Sequence, residues 1–306
     1  MMVPPPTPNR PLNAPAAVAI RARRASRDDI GGHTTGVSAP TADALAESLR
    51  PLTKDPSRAA VFCDIDGTLA PIVQRADEAH VREGISLLLG KLGRRYACVA
   101  CISGRSAAEA RRLVGVGSIA YVGSHGAELL EPGQSTPRVI PAFKSWEGRV
   151  RHFAASHDTR LLRQLRVRIE DKGPIAAFHW RGVPDEDAAL THLERIAQEA
   201  EAAGLATHRG RKVLEVRPPV PLDKGRAVRD LVTAKRPRVA LFGGDDATDL
   251  DAFNALDGLV SEDVLDAAVK VGVRSDEGPA AIVERADLVV DGVADFALVL
   301  ESLAAT

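Results

Sequence analysis

Residues 59–72 read AAVFCDIDGTLAPI, and the change of character midway along this run decides the fold. Its first half, AAVFC, is short and apolar throughout, which suits a strand buried on both faces of a parallel sheet. The second half sets Asp64 and Asp66 on either side of Ile65 and follows them with Gly67, Thr68 and Leu69. A buried strand that breaks into a tight turn fits this pattern, with Gly67 supplying backbone angles that other residues resist. In an open parallel sheet ligands sit outside the carboxyl ends of the strands, so both carboxylates are expected at a functional edge.

Outward from this run, short apolar segments alternate with helical patterns. VREGISLLLGKLGRR, ACVACIS, SAAEARRLVGV and IAYVGS follow it, and KGRAVRDLVTAKR, RVALFGG, DLDAFNAL, AVKVGV and ADLVVD come after Pro221. This is the β-α-β rhythm of an α/β, doubly wound parallel sheet. Residues 128–219 read differently: RVIPAF, LRVRIEDKG, IAAFHWR and THRGRKVLEVRP suggest strands, and DEDAALTHLERIAQEAEAAG a helix. The expected organisation is a core of residues 41–127 and 220–306 with an inserted α+β cap of residues 128–219. TADALAESLRPL is expected to open the core as a short helix. Residues 1–40, rich in Pro, Ala and Arg without periodicity, read as a disordered tail.

Bulk properties narrow the class. A chain of 306 residues, 45% hydrophobic, can bury a full core. Forty basic against 41 acidic residues leave a net charge of −1, so no global field draws nucleic acid or a membrane surface. The sequence lacks an apolar run long enough to span a bilayer and a signal-like N-terminus, so a cytoplasmic protein is expected. RARRASR leaves a basic targeting peptide open, weakened by Asp28 and Asp29. Cys98 and Cys101 form a C-x-x-C, but in the strand-like ACVACI their odd separation sends them to opposite faces, which favours core packing over ligation.

Three further polar clusters follow predicted strands or open predicted helices. In Ser103-Gly104-Arg105, a hydroxyl and the start of a helix could hold a phosphoryl oxygen, or could simply cap the helix. Lys224 opens the helix KGRAVRDLV, where the macrodipole disfavours a cation, hinting at an anionic partner. GDDATD places Asp245, Asp246 and Asp249 within five residues, where they repel one another unless a cation sits among them.

In this order the motifs resemble the haloacid dehalogenase superfamily over roughly residues 58–300. Within it, DGTLAPI, ISGR, GSHGAE, EDKG followed by FHWR, KVLEVRP, DKG and GDDATD are similar to the trehalose-6-phosphate phosphatase family. The resemblance implies a Rossmann-like core and a Mg²⁺-dependent phosphatase whose nucleophile is Asp64. Mg²⁺ is then held by Asp64, the backbone carbonyl of Asp66 and Asp245, with Asp249 ordering the site. Asp66 acts as acid and base, Ser103 and Lys224 hold phosphoryl oxygens, and Thr68, Gly104 and Arg105 assist. Glu170, Lys172, Arg181 and Glu215 match cap positions that grip the sugar. His125 either lines the cleft or satisfies a hinge. The departures Ile65 and Leu250 remove no group this chemistry requires. The expected partner is a small-molecule sugar phosphate, with no nucleic acid or membrane, and the expected state a monomer. The readings left open are another sugar phosphate, a phosphomutase, and a catalytically silent sugar-phosphate-binding domain.

Overall fold

A computed structural model of the chain describes residues 42–73, 78–210, 212–220, 222–275 and 278–305. The tail read at residues 1–40 lies outside them. Helix α1 (Ala42–Thr53) precedes β1 (Ala59–Cys63), and α2 (Glu83–Leu92), β2 (Cys98–Ile102), α3 (Ala107–Val114) and β3 (Ala120–Gly123) continue the alternation read from the sequence. Two short strands follow, β4 (Glu128–Leu130) and β5 (Arg138–Val139). Next come α4 (Pro141–Lys144), α5 (Glu147–Ser156), α6 (Arg160–Gln164), β6 (Arg168–Asp171), β7 (Ala176–His179), α7 (Glu186–Ala202), β8 (Ala206–Gly210) and β9 (Val213–Arg217). The alternation resumes with α8 (Lys224–Lys235), β10 (Val239–Gly244), α9 (Asp249–Ser261), β11 (Ala267–Arg274), α10 (Ala280–Arg285), β12 (Leu288–Asp291) and α11 (Gly292–Ala305).

The larger sheet has eight strands in the order β12-β11-β10-β1-β2-β3-β4-β5. From β12 to β3 every pairing is parallel, and β4 and β5 add antiparallel at one edge. β1 is fully buried because helices cover both faces of the sheet. Val61 and Cys63 pack among α1, α2 and α11, while Ala60 and Phe62 pack among α8 and α9. Cys98 and Cys101 belong to these two opposite layers, as their odd spacing in a strand requires. The chain departs from β1 to β2 on one side and returns through β10 on the other, so the carboxyl end of β1 opens at a topological switch point.

RVIPAF departs from its reading as a full strand. It gives only the two-residue β5, hydrogen-bonded into the larger sheet, because Pro141 starts α4 at once. The second sheet is antiparallel, with four strands in the order β6-β7-β9-β8. Its alternation separates two faces. Phe178, Leu214 and Val216 pack with Val150, Leu193 and Ile196 of α5 and α7 into a separate hydrophobic cluster. On the opposite face the register puts Glu170, Ala177, Glu215 and His208 side by side. Among the described residues, no helix is long and apolar enough to cross a membrane.

Phe242 of β10 is fully buried and meets Phe253 of α9 edge-on, with ring centroids 6.2 Å apart. Phe242→Ala is expected to cost about 3–5 kcal/mol of unfolding free energy in a urea titration. A loss under about 1 kcal/mol would contradict this packing.

Candidate active site

The carboxyl ends of β1, β2 and β10 bring the first, second and fourth motifs together. The Asp64 N–H continues the ladder to the Gly243 carbonyl at 2.9 Å, and the chain then turns on Ile65, whose carbonyl accepts the N–H groups of Leu69 and Ala70. Gly67 has φ +95°, and a Cβ there would lie 2.2 Å from Asp245 Oδ2. Glycine is therefore required twice, for the backbone angle and for the close approach of the turn to Asp245. The Thr68 hydroxyl, fully buried, donates to Asp245 Oδ1 at 3.5 Å.

Lys224 binds the cluster together. Asp223 caps α8 by accepting the Arg226 N–H at 2.7 Å, which aims the next side chain inward. The Lys224 ammonium, 2% exposed, donates to Asp64 Oδ1 at 2.8 Å and to Asp249 Oδ1 at 2.6 Å. Asp249 Oδ2 accepts the N–H groups of Asp245 and Asp246, both at 2.9 Å, and so folds the GDDATD turn. Asp246 is used differently: its Oδ1 accepts the N–H and hydroxyl of Thr248 at the start of α9.

The charge balance within this cluster is unequal. Asp64, Asp245 and Asp249 are all buried and present carboxylate oxygens within 4.8 Å of one another, against one ammonium. Burial raises the Asp64 carboxyl well above the usual range, with Lys224 opposing and Asp249, Asp246 and Asp245 adding to it. Burial likewise pushes Asp249 up to about 6. Burial also works against the Lys224 charge, but Asp249 and Asp64 outweigh it and hold the ammonium well above its ordinary value. An all-oxygen set with surplus negative charge suits a hard cation such as Mg²⁺, which would relieve the repulsion.

Asp66 lies outside that acidic group. Arg105 takes both its oxygens, Nε to Oδ2 and Nη2 to Oδ1, each at 2.7 Å, and also donates to Glu109 at 2.7 Å. Burial opposes the Arg105 charge, yet the bonds to Asp66 and Glu109 raise its pKa. Ser103 is buried, and its hydroxyl accepts the Arg105 N–H at 3.2 Å.

The second sheet meets this edge with its polar face. Lys172, just after β6, donates to the Gly104 carbonyl at 3.1 Å and to Glu215 Oε1 at 3.2 Å. Burial alone would raise Glu215, but Lys172 holds it below the ordinary range. Glu170 accepts a hydrogen bond from His179 Nε2 at 2.7 Å, and this bond brings its carboxyl down to about 2. His125 Nε2 lies 3.6 Å from Glu215 Oε2, and burial lowers the imidazole to about 4. Arg181 is exposed, two residues beyond His179 at the end of β7 opposite the hairpin that carries Lys172. Glu109, His179 and His208 escaped the sequence reading. Glu109 alone had a local signal, as the i+4 neighbour of Arg105 on α3.

The fold, an open and mostly parallel sheet with acidic groups at adjacent strand ends, is shared with a solved phosphatase of the haloalkanoate (HAD) superfamily from Bacteroides thetaiotaomicron, which superposes with a TM-score of 0.50 at 16% identity over 79% of this chain and 92% of that one. The chain belongs to the trehalose-phosphatase family, whose profile matches residues 62–281. It is 35% identical over 229 residues to a trehalose-phosphate phosphatase of Mycobacterium marinum, covering 70% of this chain and 55% of that one. It is 36% identical over 207 residues to an uncharacterized glycosyl hydrolase of Mycobacterium tuberculosis, covering 65% of this chain and 15% of the other. A solved trehalose-6-phosphate phosphatase related protein superposes with a TM-score of 0.66 at 25% identity, over 80% of this chain and 97% of that one. The chain thus spans about half the length of the curated trehalose-phosphate phosphatase and a smaller part of the glycosyl hydrolase.

If the acidic cluster holds a cation, Mg²⁺ at a hundredfold excess over its Kd should stabilise the protein by about 2.7 kcal/mol, seen as a rise in Tm. Asp245→Asn should abolish that rise. An undiminished Mg²⁺ response in the variant would remove Asp245 from the cation site.

Proposed function

We propose that the chain is a phosphoric monoester hydrolase that releases inorganic phosphate from trehalose 6-phosphate, the final step of trehalose biosynthesis. The observation that carries this reading is the buried cluster of Asp64, Asp245 and Asp249 around Lys224, facing the polar side of the second sheet. Phosphate monoesters hydrolyse very slowly without a catalyst, so a site must both neutralise charge and supply a nucleophile. Asp64 can supply the second.

In the proposed reaction an Asp64 oxygen attacks phosphorus in line, forming an aspartyl-phosphate as the bond from phosphorus to the sugar oxygen breaks. Asp66, which takes up a proton from solvent when Arg105 lets one of its two oxygens go, gives that proton to the departing sugar oxygen. It then takes a proton from the water that attacks the phosphoryl group, which frees Asp64 and releases phosphate. Arg105 orients Asp66 through both carboxylate oxygens. Lys224 holds the nucleophile in place, and Ser103, Gly104 and Thr68 border the space for phosphoryl oxygens. Mg²⁺, held by Asp64, Asp245 and the Asp66 carbonyl and ordered through Asp249, would neutralise the phosphoryl charge when bound.

Substrate choice falls to the inserted unit. We assign residues 41–127 and 220–306 to the core and residues 128–219 to a cap, with β4 and β5 joining the core sheet. Glu170 and Glu215 lie on one face beside Lys172, and ionised carboxylates suit the hydroxyls of a polyol while an ammonium suits its phosphate edge.

A panel of sugar phosphates with Mg²⁺ tests the assignment through phosphate release by the purified protein. Trehalose 6-phosphate is expected to be the strongest substrate. Strong release from another sugar phosphate with trehalose 6-phosphate inert would overturn the substrate, and binding without release would overturn the enzyme. Asp64→Asn should reduce turnover to background while preserving the folded state by circular dichroism. Wild-type activity in that variant would contradict the nucleophile.

A further inference from the structure

Ser103, Gly104 and Arg105 carry two groups of the proposed machinery, a phosphoryl-facing hydroxyl and the guanidinium that grips Asp66. Their three carbonyls are held from outside the loop. The His125 N–H donates to the Ser103 carbonyl at 3.1 Å, and the Ser124 N–H to the Arg105 carbonyl at 2.7 Å. The carbonyl between them, that of Gly104, accepts from Lys172 of the second sheet's hairpin at 3.1 Å. One of the three anchors on this loop therefore belongs to the unit that would read the sugar.

The imidazole of His125 touches both sides of that junction. A Cβ at Gly104 would lie 2.7 Å from His125 Nε2, so the ring rests directly on bare backbone. The same nitrogen is 3.6 Å from Glu215 Oε2, a buried oxygen with no hydrogen-bond donor among the described residues. The other Glu215 oxygen accepts from Lys172 at 3.2 Å. Ser124 and His125 hold φ of +51° and +55°, a conformation that costs free energy for residues other than glycine. The turn thus keeps a strained backbone that sets the ring between Gly104 and Glu215.

We propose that His125 is a positioning residue through which docking of Lys172 and Glu215 sets the Ser103-Gly104-Arg105 loop for phosphoryl transfer. The proposal rests on the phosphatase reading above. A sugar held by the cap keeps Lys172 and Glu215 against the loop, so the loop is set when the sugar is in place. A phosphate ester without a sugar gives the cap nothing to hold and draws little on this coupling.

His125→Asn tests the proposal, because asparagine tolerates the left-handed backbone and removes only the ring. For trehalose 6-phosphate, kcat should fall at least about tenfold with KM changed less than about threefold. For p-nitrophenyl phosphate, kcat should stay within about twofold of wild type. A rise in KM alone would make His125 a sugar ligand, and equal losses on both substrates would make its role local packing. Either result, or no change at all, overturns the proposal. Amide hydrogen exchange reads the coupling without turnover. With trehalose present at saturating concentration to hold the cap, exchange at Arg105 and Ser124 should be at least about tenfold faster in both His125→Asn and Lys172→Met than in wild type. If wild type releases no phosphate but exchange responds in both variants, the phosphatase reading fails and the coupling stands. Unchanged exchange in either variant overturns the coupling.

Discussion

One ammonium among three carboxylates is the constraint on which the rest depends. Lys224 is buried with Asp64 and Asp249 as its partners and Asp245 beside them. Burying charges is costly unless they are paired and hydrogen-bonded, and a chain that keeps such a group has to build the pairing around it. Here the surrounding elements do so. β1 and β10 are adjacent in register, so Asp64 and Asp245 leave neighbouring strand ends, and the capped start of α8 directs Lys224 to Asp64 and Asp249. The residual negative charge of the three carboxylates suits the cluster to a hard cation.

The polar groups next to the cluster form a second set of pairs. Asp66 is part-exposed and held by Arg105, whose third contact is Glu109. The second sheet presents one apolar face to its own helices and a charged face to the core, a consequence of strict alternation along β6, β7 and β9. Lys172 crosses from that face to the Gly104 carbonyl, so the second sheet and the strand-end loop share a contact.

Much of this was legible in the sequence because it is local. AAVFC could be read as a buried strand from composition alone, and Asp-x-Asp-Gly-Thr as a turn from Gly67. The grouping of Asp245, Asp246 and Asp249 was visible as repulsion, but their division of labour was not: Asp249 ties the turn to Lys224, whereas Asp246 caps Thr248. Pairings across long separations carried no signal. Arg105 with Asp66, Lys172 with Gly104, and His125 with Glu215 join residues 39, 68 and 90 positions apart. The Glu170–His179 bond depends on strand register, which alternation alone leaves undetermined. RVIPAF carries a strand's apolar pattern over more residues than form one, because Pro141 cuts β5 short.

The central claim is that Asp64 becomes covalently phosphorylated during turnover. Rapid quenching of the reacting protein with sodium borohydride tests this, since an acyl phosphate is reduced to an alcohol and an ordinary carboxylate is not. Peptide mass spectrometry after a quench with trehalose 6-phosphate and Mg²⁺ should find homoserine at position 64, and none when substrate is omitted. Robust phosphate release with Asp64 unmodified at every quench time, and reduction at another carboxylate, would contradict the account.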